Sequence, residues 1–205
     1  MTEKFTVYIV DDDPGVLKAL SRLLRTKGYL VSAYDSPQVF LQEHDAGVPG
    51  CAILDVSMPG LDGLALQREL AITVGSRRPI VFVTGKGDIP TSVRAMKSGA
   101  VDFLTKPVKD KHLFEAVSRA EERDARSRKD HSELKSIQEK VASLTPRERE
   151  VLAQVVAGRM NKQIAGDLGT AERTIKIHRG RMMEKLGIRN VADLVRMAEK
   201  LNHFS

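Results

Sequence analysis

A short apolar run at residues 51–54 that ends on one carboxylate, Asp55, most constrains what this chain can fold into. Four apolar residues are too few for a helix, and they suit a strand covered on both faces, as in a parallel sheet. Gly-containing pairs at 59–60 and 62–63 then turn the chain. Because ligand and reaction sites of open parallel sheets lie beyond the carboxyl ends of the strands, Asp55 is a candidate functional residue. The alternative is an Asp that merely caps a helix beginning near Leu61.

The first 124 residues alternate between apolar runs and amphipathic stretches. This alternation predicts five strands and five helices in a doubly wound α/β domain with a five-stranded parallel sheet. The first helix is expected to open at Pro14 and to stop at Gly28. The predicted strands cover residues 5–10, 29–34, 51–54, 79–83 and 100–104, and the other helices about 36–45, 62–74, 89–98 and 110–124.

Charge is unevenly distributed along the 205 residues. Residues 1–124 carry 16 Lys and Arg against 17 Asp and Glu, whereas residues 125–205 carry 17 against 10. This asymmetry indicates a near-neutral module joined to one that meets a polyanion, most often nucleic acid. The single Cys51 lies in an apolar run, which argues against a disulfide framework. With no signal-like N-terminus and no long apolar stretch, a cytoplasmic protein without membrane association is expected.

Polar residues follow several of the predicted strands directly. Since the carboxyl ends of parallel strands share one edge of the sheet, these side chains should converge. They are Asp11, Asp12, Asp55, Thr84 and Lys106. Three gathered carboxylates are costly without a cation, and hard oxygen ligands favour Mg²⁺. One carboxylate facing an in-line phosphoryl donor can act as a nucleophile, while the metal and the lysine neutralise charge on the transferred group.

These five residues, together with Pro107, resemble the conserved set of response-regulator receiver domains, and the resemblance covers residues 4–124. It implies a flavodoxin-like fold in which Asp55 accepts a phosphoryl group from a histidine kinase. It also implies that Asp12, Asp55 and the backbone carbonyl of Ser57 hold Mg²⁺, with Asp11 assisting through water.

The same resemblance implies that Thr84 and Lys106 bind the phosphate oxygens and that the Lys106-Pro107 peptide is cis. Phe103 stands where the family has a rotameric aromatic switch, which would turn into space that Thr84 vacates. The alternative for Phe103 is an ordinary core residue. Lys86 replaces the His that the FixJ-like branch more often has, and with Ser57 it flanks the expected path of the hydrolytic water.

The segment from Ala116 to Ser143 is rich in helix-forming residues and lacks Gly and Pro. It predicts an extension of helix five into a charged helical connector, with a break near residues 128–132. Apolar residues recur there at 134, 137, 141 and 144, and this seam suits a short coiled coil with a second copy. A flexible solvated linker is the alternative.

The last 65 residues begin with strong helix signals. Thr145 is expected as the N-cap, Pro146 at the first helical position and Glu148 as the partner that completes a capping box, with Gly158 ending the helix. A short helix at 161–168 follows. Gly169 would form a turn, Thr170 would cap a helix at 171–186, and a fourth helix would cover 190–201. Two helices joined by a tight Gly-containing turn predict a helix-turn-helix.

Helical geometry sorts the second of these helices into two faces. Ile175, Met182 and Leu186 are expected in the core. The opposite face carries Arg173, Lys176, Ile177 and Gly180. Cationic side chains around one aliphatic residue suit phosphate contacts and a thymine methyl group.

The motifs at 144–152, 161–165 and 174–178 resemble the LuxR/FixJ-type helix-turn-helix. This resemblance implies that Lys176 and Ile177 reach base edges and that Lys162 and Thr174 lie near phosphates. Gly180 departs from it, because Gly in mid-helix costs about 1 kcal/mol relative to Ala. Either the backbone approaches DNA closely there, or base readout is missing at that position.

The chain is thus expected to be a two-domain transcription regulator: a receiver domain at 1–124, a helical linker at 125–142 and a LuxR-type DNA-binding domain at 143–205. Its implied partners are a sensor histidine kinase, double-stranded promoter DNA and a second copy on phosphorylation, with RNA polymerase as a further candidate. Enzymatic activity would be limited to slow self-phosphorylation and self-dephosphorylation. Two alternatives are a Mg²⁺-dependent phosphohydrolase with an Asp nucleophile and a DNA-binding scaffold that is independent of phosphorylation.

Overall fold

The computed structural model describes residues 4–72, 78–85 and 88–203. The chain divides into two compact units, Met1–Arg128 and Lys129–Ser205. The strands of the first unit are β1 (Thr6–Val10), β2 (Leu30–Tyr34), β3 (Gly50–Leu54), β4 (Ile80–Thr84) and β5 (Asp102–Thr105). Its helices are α1 (Pro14–Thr26), α2 (Pro37–Glu43), α3 (Gly63–Ile72) and α4 (Ile89–Lys97). It also contains the first part of α5 (Asp110–Ala142), up to Arg128.

The five strands form one parallel sheet in the order β2-β1-β3-β4-β5. The predicted doubly wound fold is therefore confirmed. The strand order reverses between β1 and β3, and open α/β sheets bind their ligands outside the carboxyl ends of the strands at such a point. Asp11 and Asp55 directly follow these two strands.

The three central strands, β1, β3 and β4, are buried along their whole length. Alternate side chains supply two apolar clusters, one on each face of the sheet. Leu54 and Phe82 belong to one cluster, and Ile53 and Val81 to the other. Cys51 lies in the second cluster as a fully buried free thiol, which fits its interpretation as a small hydrophobic residue.

Helix α5 runs without interruption through 33 residues, so the expected break near 128–132 is wrong. The reason is tertiary contact at that place. Arg128 donates to Asp124 at 2.8 Å, one turn earlier, and to the carbonyl oxygens of Gly47 and Val48 at 2.6 and 2.5 Å. These contacts hold the helix at the position where sequence alone suggested a weak point.

The apolar seam of α5 has a partner within the chain. Leu144 is buried in the core of the second unit, and Ile137 and Val141 pack against that core. The flexible linker is therefore wrong for these residues, whereas the coiled coil with a second copy stays a prediction. These residues form a helical segment whose apolar face contributes to the second hydrophobic core.

The second unit contains four further helices. They are α6 (Pro146–Val156), α7 (Asn161–Asp167), α8 (Glu172–Leu186) and α9 (Val191–His203). Thr145 caps α6 and forms the predicted capping box with Glu148. Thr170, in contrast, does not cap α8: its amide donates to the Ala165 carbonyl, which ends α7, and Ala171 occupies the N-cap position without a side-chain bond.

Glu148 links two helices of the second unit and is almost fully buried, at 3% exposure. Its carboxylate accepts from the Lys185 ammonium on α8 at 2.7 Å and from the Thr145 amide at 2.8 Å. The hydrogen bond from Lys185 and the one from the Thr145 backbone lower the pKa of Glu148 to about 2. Because the pKa is lower in the folded state, this carboxylate stabilises the fold above pH 4.5 and loses that effect as the pH falls toward 2.

Glu148→Gln should therefore remove part of the acid sensitivity of the full-length protein. We expect the wild type to lose more stability than the variant between pH 4.5 and 2, as measured by urea unfolding at a series of pH values. Glu150→Gln removes an exposed carboxylate from the same helix and is the control. An identical acid profile for wild type and Glu148→Gln would contradict the assignment.

Candidate phosphoryl-transfer site and nucleic-acid interface

The carboxyl ends of β1 and β3 place two aspartates side by side. Val10 pairs with Leu54 across the two strands, and the Asp55 amide donates to the Val10 carbonyl at 2.9 Å. Asp11 and Asp55, the next residues, are 2% and 6% exposed. The buried strands thus place two carboxylates next to each other at a site with little solvent exposure.

Lys106 brings positive charge to this pair. Its ammonium lies 2.7 Å from Asp11 Oδ2 and 3.6 Å from Asp55 Oδ2. Asp12, which is exposed, completes a group of three carboxylates that each offer an oxygen within 4.8 Å of the others. The structure therefore brings together four of the predicted residues, which are separated by up to 95 positions in the chain.

The end of β5 positions Lys106. Its amide donates to the Thr84 carbonyl at 2.8 Å, which ties the loop after β5 to the end of β4. The Lys106-Pro107 peptide is cis, as the family resemblance implied. Thr84 is fully buried at the last position of β4, so it lies on the same sheet edge as Lys106 and Asp55.

Burial and neighbouring charges have opposing effects on the pKa values of Asp55 and Lys106. Burial raises the pKa of Asp55, Lys106 lowers it, and the neighbouring charge of Asp11 raises it again, with a net upward shift. Burial alone would lower the pKa of the Lys106 ammonium, but its hydrogen bond to Asp11 and the charges of Asp11 and Asp55 raise it overall. Among the described residues, the site therefore has a carboxylate excess that is offset by the Lys106 ammonium alone.

This donor set suits a hard divalent cation. Receiver domains in general bind Mg²⁺ at an acidic cluster of this kind, and here Asp11, Asp12 and Asp55 supply oxygen donors within reach of one ion. Asp12 is exposed, which leaves room for coordinated water. The residues present thus fit Mg²⁺.

The capping alternative for Asp55 is wrong. Its Oδ1 accepts from the adjacent Val56 amide at 2.8 Å, whereas α3 begins at Gly63, and Asp62 accepts from the Ala65 amide in its first turn at 2.6 Å. Asp62 satisfies the helix terminus, which leaves Asp55 available to the site.

Phe103 lies on β5, partly buried, with its ring centroid 6.1 Å from that of Phe82. It therefore packs at the margin of one core cluster. Ser57 is exposed just beyond Asp55. Lys86, the other residue expected near the hydrolytic water, lies outside the described residues.

The predicted DNA-reading residues lie on one surface of α8. Ile175, Met182 and Leu186 are buried, as predicted, on the opposite side. Ile177 is 48% exposed, and Thr174 is half-buried at the edge. The remaining predicted contacts are all exposed, and they are Lys162 on α7 and Arg173, Lys176 and Gly180 on α8.

Two residues of the sites were missed by the sequence analysis. Gly63 lies so close to the phosphoryl site that a Cβ atom there would be 2.2 Å from the Asp55 carbonyl oxygen. Arg179 on α8 donates to Asn161 Oδ1 at 2.9 Å and joins the two helices of the helix-turn-helix. The position of Gly63 just after a turn was only a weak sequence signal for its closeness to Asp55. No local sequence pattern identifies Arg179.

The geometry defines a response regulator, and comparison with known families agrees. The family described as "Response regulator receiver domain" matches residues 7–118, and "Bacterial regulatory proteins, luxR family" matches residues 142–198. The chain belongs to the response regulators that join a receiver domain to a LuxR-type DNA-binding domain. This is a family of transcription regulators rather than of enzymes, so the phosphohydrolase alternative is not retained.

Several relatives match over nearly the whole chain. Nodulation protein W of Bradyrhizobium diazoefficiens is 46% identical over 97% of this chain and 87% of its own length. Response regulator protein TodT of Pseudomonas putida is 42% identical over 95% and 86%. Transcriptional regulatory protein FixJ of Azorhizobium caulinodans is 40% identical over 97% and 93%.

Solved structures agree with these matches. The response regulator StyR is 43% identical, covers 96% of this chain and 99% of its own, and has a TM-score of 0.84. Full-length FixJ from B. japonicum is 37% identical, covers 99% of both chains and has a TM-score of 0.58. As for membranes, none of the described helices combines the length and apolar character that a bilayer crossing requires.

Gly63→Ala should destabilise the first unit by roughly 1 to 3 kcal/mol, because the added methyl group meets backbone that cannot move aside easily. Gly85→Ala is a matched control, since a Cβ atom at Gly85 would meet nothing within 4 Å. Chemical unfolding of the full-length variants measures both effects. A Gly63→Ala variant as stable as the Gly85→Ala variant would show that the backbone behind Asp55 is not constrained.

Proposed function

We propose that Asp55 accepts a phosphoryl group from a sensor histidine kinase. The observation that carries this proposal is the position of the Lys106 ammonium, 2.7 Å from Asp11 and 3.6 Å from Asp55, at the strand ends of a receiver fold. Lys106 can neutralise charge on a group transferred to Asp55 while Asp11 holds the lysine in place. The receiver and DNA-binding domains imply the kinase and promoter DNA as partners.

In the transfer, a carboxylate oxygen of Asp55 attacks phosphorus in line with the departing nitrogen of the kinase histidine. A P–O bond forms, the P–N bond breaks, and the leaving imidazole takes up a proton. The near-complete burial of Asp55 keeps bulk water from most of the side chain. The resulting acyl phosphate is still open to water, so slow self-dephosphorylation, and slow self-phosphorylation from small donors, are part of the proposal.

Asp11, Asp12, Asp55 and the backbone carbonyl of Ser57 would hold Mg²⁺. Bound there, the ion would supply positive charge to the transferring phosphoryl oxygens. The chain's own contribution is the fixed arrangement of the carboxylates. Asp11 accepts from Lys106 and from the Asp13 amide at 3.0 Å, which orients its carboxylate within the group.

Thr84 and Lys106 would bind the phosphate oxygens. A movement of Thr84 toward the phosphate would free space beside β5, into which the Phe103 ring would turn. The marginal burial of Phe103 supports this role, because a fully enclosed ring could not change its rotamer without disturbing the core.

Phosphorylation would then drive dimerisation and binding of two DNA half-sites, with RNA polymerase as a further partner. Two linked contacts gain from high effective concentration, so dimerisation raises affinity without new protein–DNA contacts. The domain limits proposed for this scheme are 1–124, 125–142 and 143–205. The residues proposed to contact DNA are Lys162, Arg173, Thr174, Lys176, Ile177 and Gly180.

Asp55→Asn should abolish the response to phosphodonors. With Mg²⁺ and acetyl phosphate or beryllofluoride, wild-type protein should self-associate and bind its promoter at least about tenfold more tightly, because paired half-sites act together. The variant should show neither change. Analytical ultracentrifugation and electrophoretic mobility shift assays measure the two effects. The control is Asp45→Asn, which alters an exposed carboxylate in the loop before β3, at the opposite end of that strand from Asp55.

The same experiment separates this proposal from the scaffold alternative. A wild-type protein that binds promoter DNA equally well with and without the phosphodonor would support a scaffold that is independent of phosphorylation. An Asp55→Asn variant that still responds to the donor would place the acceptor at another residue.

Gly180→Ala should raise stability but weaken DNA binding. A Cβ atom at Gly180 meets nothing within 4 Å, so the substitution should stabilise α8 by about 1 kcal/mol. Since no packing within the protein requires Gly there, close approach of DNA to the backbone explains its presence. We expect an affinity loss of about tenfold in fluorescence anisotropy titrations, which corresponds to about 1.4 kcal/mol.

The control for this test is Gly85→Ala in the first unit, where an added Cβ atom also meets nothing within 4 Å, measured without a phosphodonor. It should leave DNA affinity unchanged. If Gly180→Ala binds as tightly as the control, the backbone at 180 does not approach DNA, and base readout is simply missing at that position.

A further inference from the structure

The cations of the second unit fall into two groups according to whether an acid neutralises them. Those with an acidic partner lie mostly away from the face of α8 that was predicted to read DNA. The pairs are Arg147–Glu150, Arg159–Asp167, Lys185–Glu148, Arg196–Asp193 and Lys200–Glu133. On α7 and α8, five cations have no ion pair among the described residues: Lys162, Arg173, Lys176, Arg179 and Arg181.

Arg179 differs from the other four because it is half-buried and held in one place. Its Nη1 donates to Asn161 Oδ1 at 2.9 Å. Asn161 is the first residue of α7, so the guanidinium lies where α7 begins. The amide oxygen fixes the side chain without cancelling its charge, since Asn is neutral.

In a helix-turn-helix, the second helix enters the major groove while the first crosses the DNA backbone. Here α8 is the second helix and α7 the first. The start of α7, where Lys162 is already expected to meet phosphate, is therefore close to the backbone when α8 is in the groove. A guanidinium held there, with no acidic partner in the part of the chain that the structure describes, matches the bidentate geometry of a phosphate group.

We propose that Arg179 contacts a DNA phosphate and that Asn161 is a positioning residue that orients it. The contact adds affinity and register but no sequence information, because phosphates are the same at every step.

The test is the salt dependence of DNA binding by the full-length protein. Each phosphate contact releases counterions and contributes about 0.9 to the slope of log affinity against log salt. Arg179→Gln should reduce that slope by about 0.9 per bound protomer and lower affinity by roughly eightfold per protomer at 0.1 M salt. The loss should be equal on a duplex selected by the wild type from random sequences and on an unrelated duplex.

Arg179→Lys keeps the charge but not the forked donor geometry, so it should retain the wild-type slope with weaker binding. Asn161→Ala should also retain the slope, because the cation remains. Arg196→Gln removes a cation on α9 that pairs with Asp193, and it should change neither slope nor affinity. Circular dichroism melting of each variant establishes that it is folded.

An unchanged slope in folded Arg179→Gln would overturn the proposal. The proposal would also fail if Arg179→Gln, Asn161→Ala and the double variant all lost the same amount of DNA affinity without any change of slope. That outcome would mean that the Arg179–Asn161 hydrogen bond only holds the two helices together. The salt dependence of the wild type tests whether the protein binds DNA at all, whichever residues make the contacts. A failure of Arg179 as a phosphate contact would therefore leave the proposed DNA-binding function intact.

Discussion

The mutual repulsion of Asp11 and Asp55, offset by one ammonium, is the constraint on which the receiver depends. Two carboxylates that are each less than 10% exposed are costly unless positive charge lies beside them. Lys106 supplies it, but only because the sheet brings β1, β3 and β5 to one edge. The buried central strands are what allow that edge to form, since their apolar side chains cover both faces of the sheet and the acids follow at the strand ends.

Much of this arrangement could be read from the sequence because its physical causes are local. An apolar run that ends on an acid predicts the end of a strand. Parallel strands have their carboxyl ends at the same edge of the sheet, independently of the structure of the connecting helices. Asp11, Asp55, Thr84 and Lys106 could therefore be grouped without knowledge of any contact. The cap at Thr145 was equally predictable, because a capping box involves residues three apart.

One error arose where distant parts of the chain decide local structure, and the others arose from contacts between residues five to eight positions apart. The continuity of α5 depends on Arg128 reaching the carbonyls of Gly47 and Val48, about 80 residues away, and no propensity scale includes such contacts. Thr170 looked like a helix cap, but its amide completes the end of α7 instead. Gly63 appeared to be a turn residue only, since the closeness of the Asp55 carbonyl follows from how α3 packs on β3.

Ion pairing gives the charge asymmetry of the chain a structural meaning. In the first unit, cations such as Lys106, Arg119 and Arg128 lie against acids, so that module is near neutral and can be governed by a single added phosphoryl group. In the second unit, five cations of α7 and α8 have no ion pair among the described residues, so positive charge on those two helices is left without an acidic partner. Contacts with phosphates carry no sequence information, so the proposed gain in DNA affinity on phosphorylation rests on the pairing of protomers rather than on a change in that surface. This is why the switch belongs in a separate domain whose own charge is close to balanced.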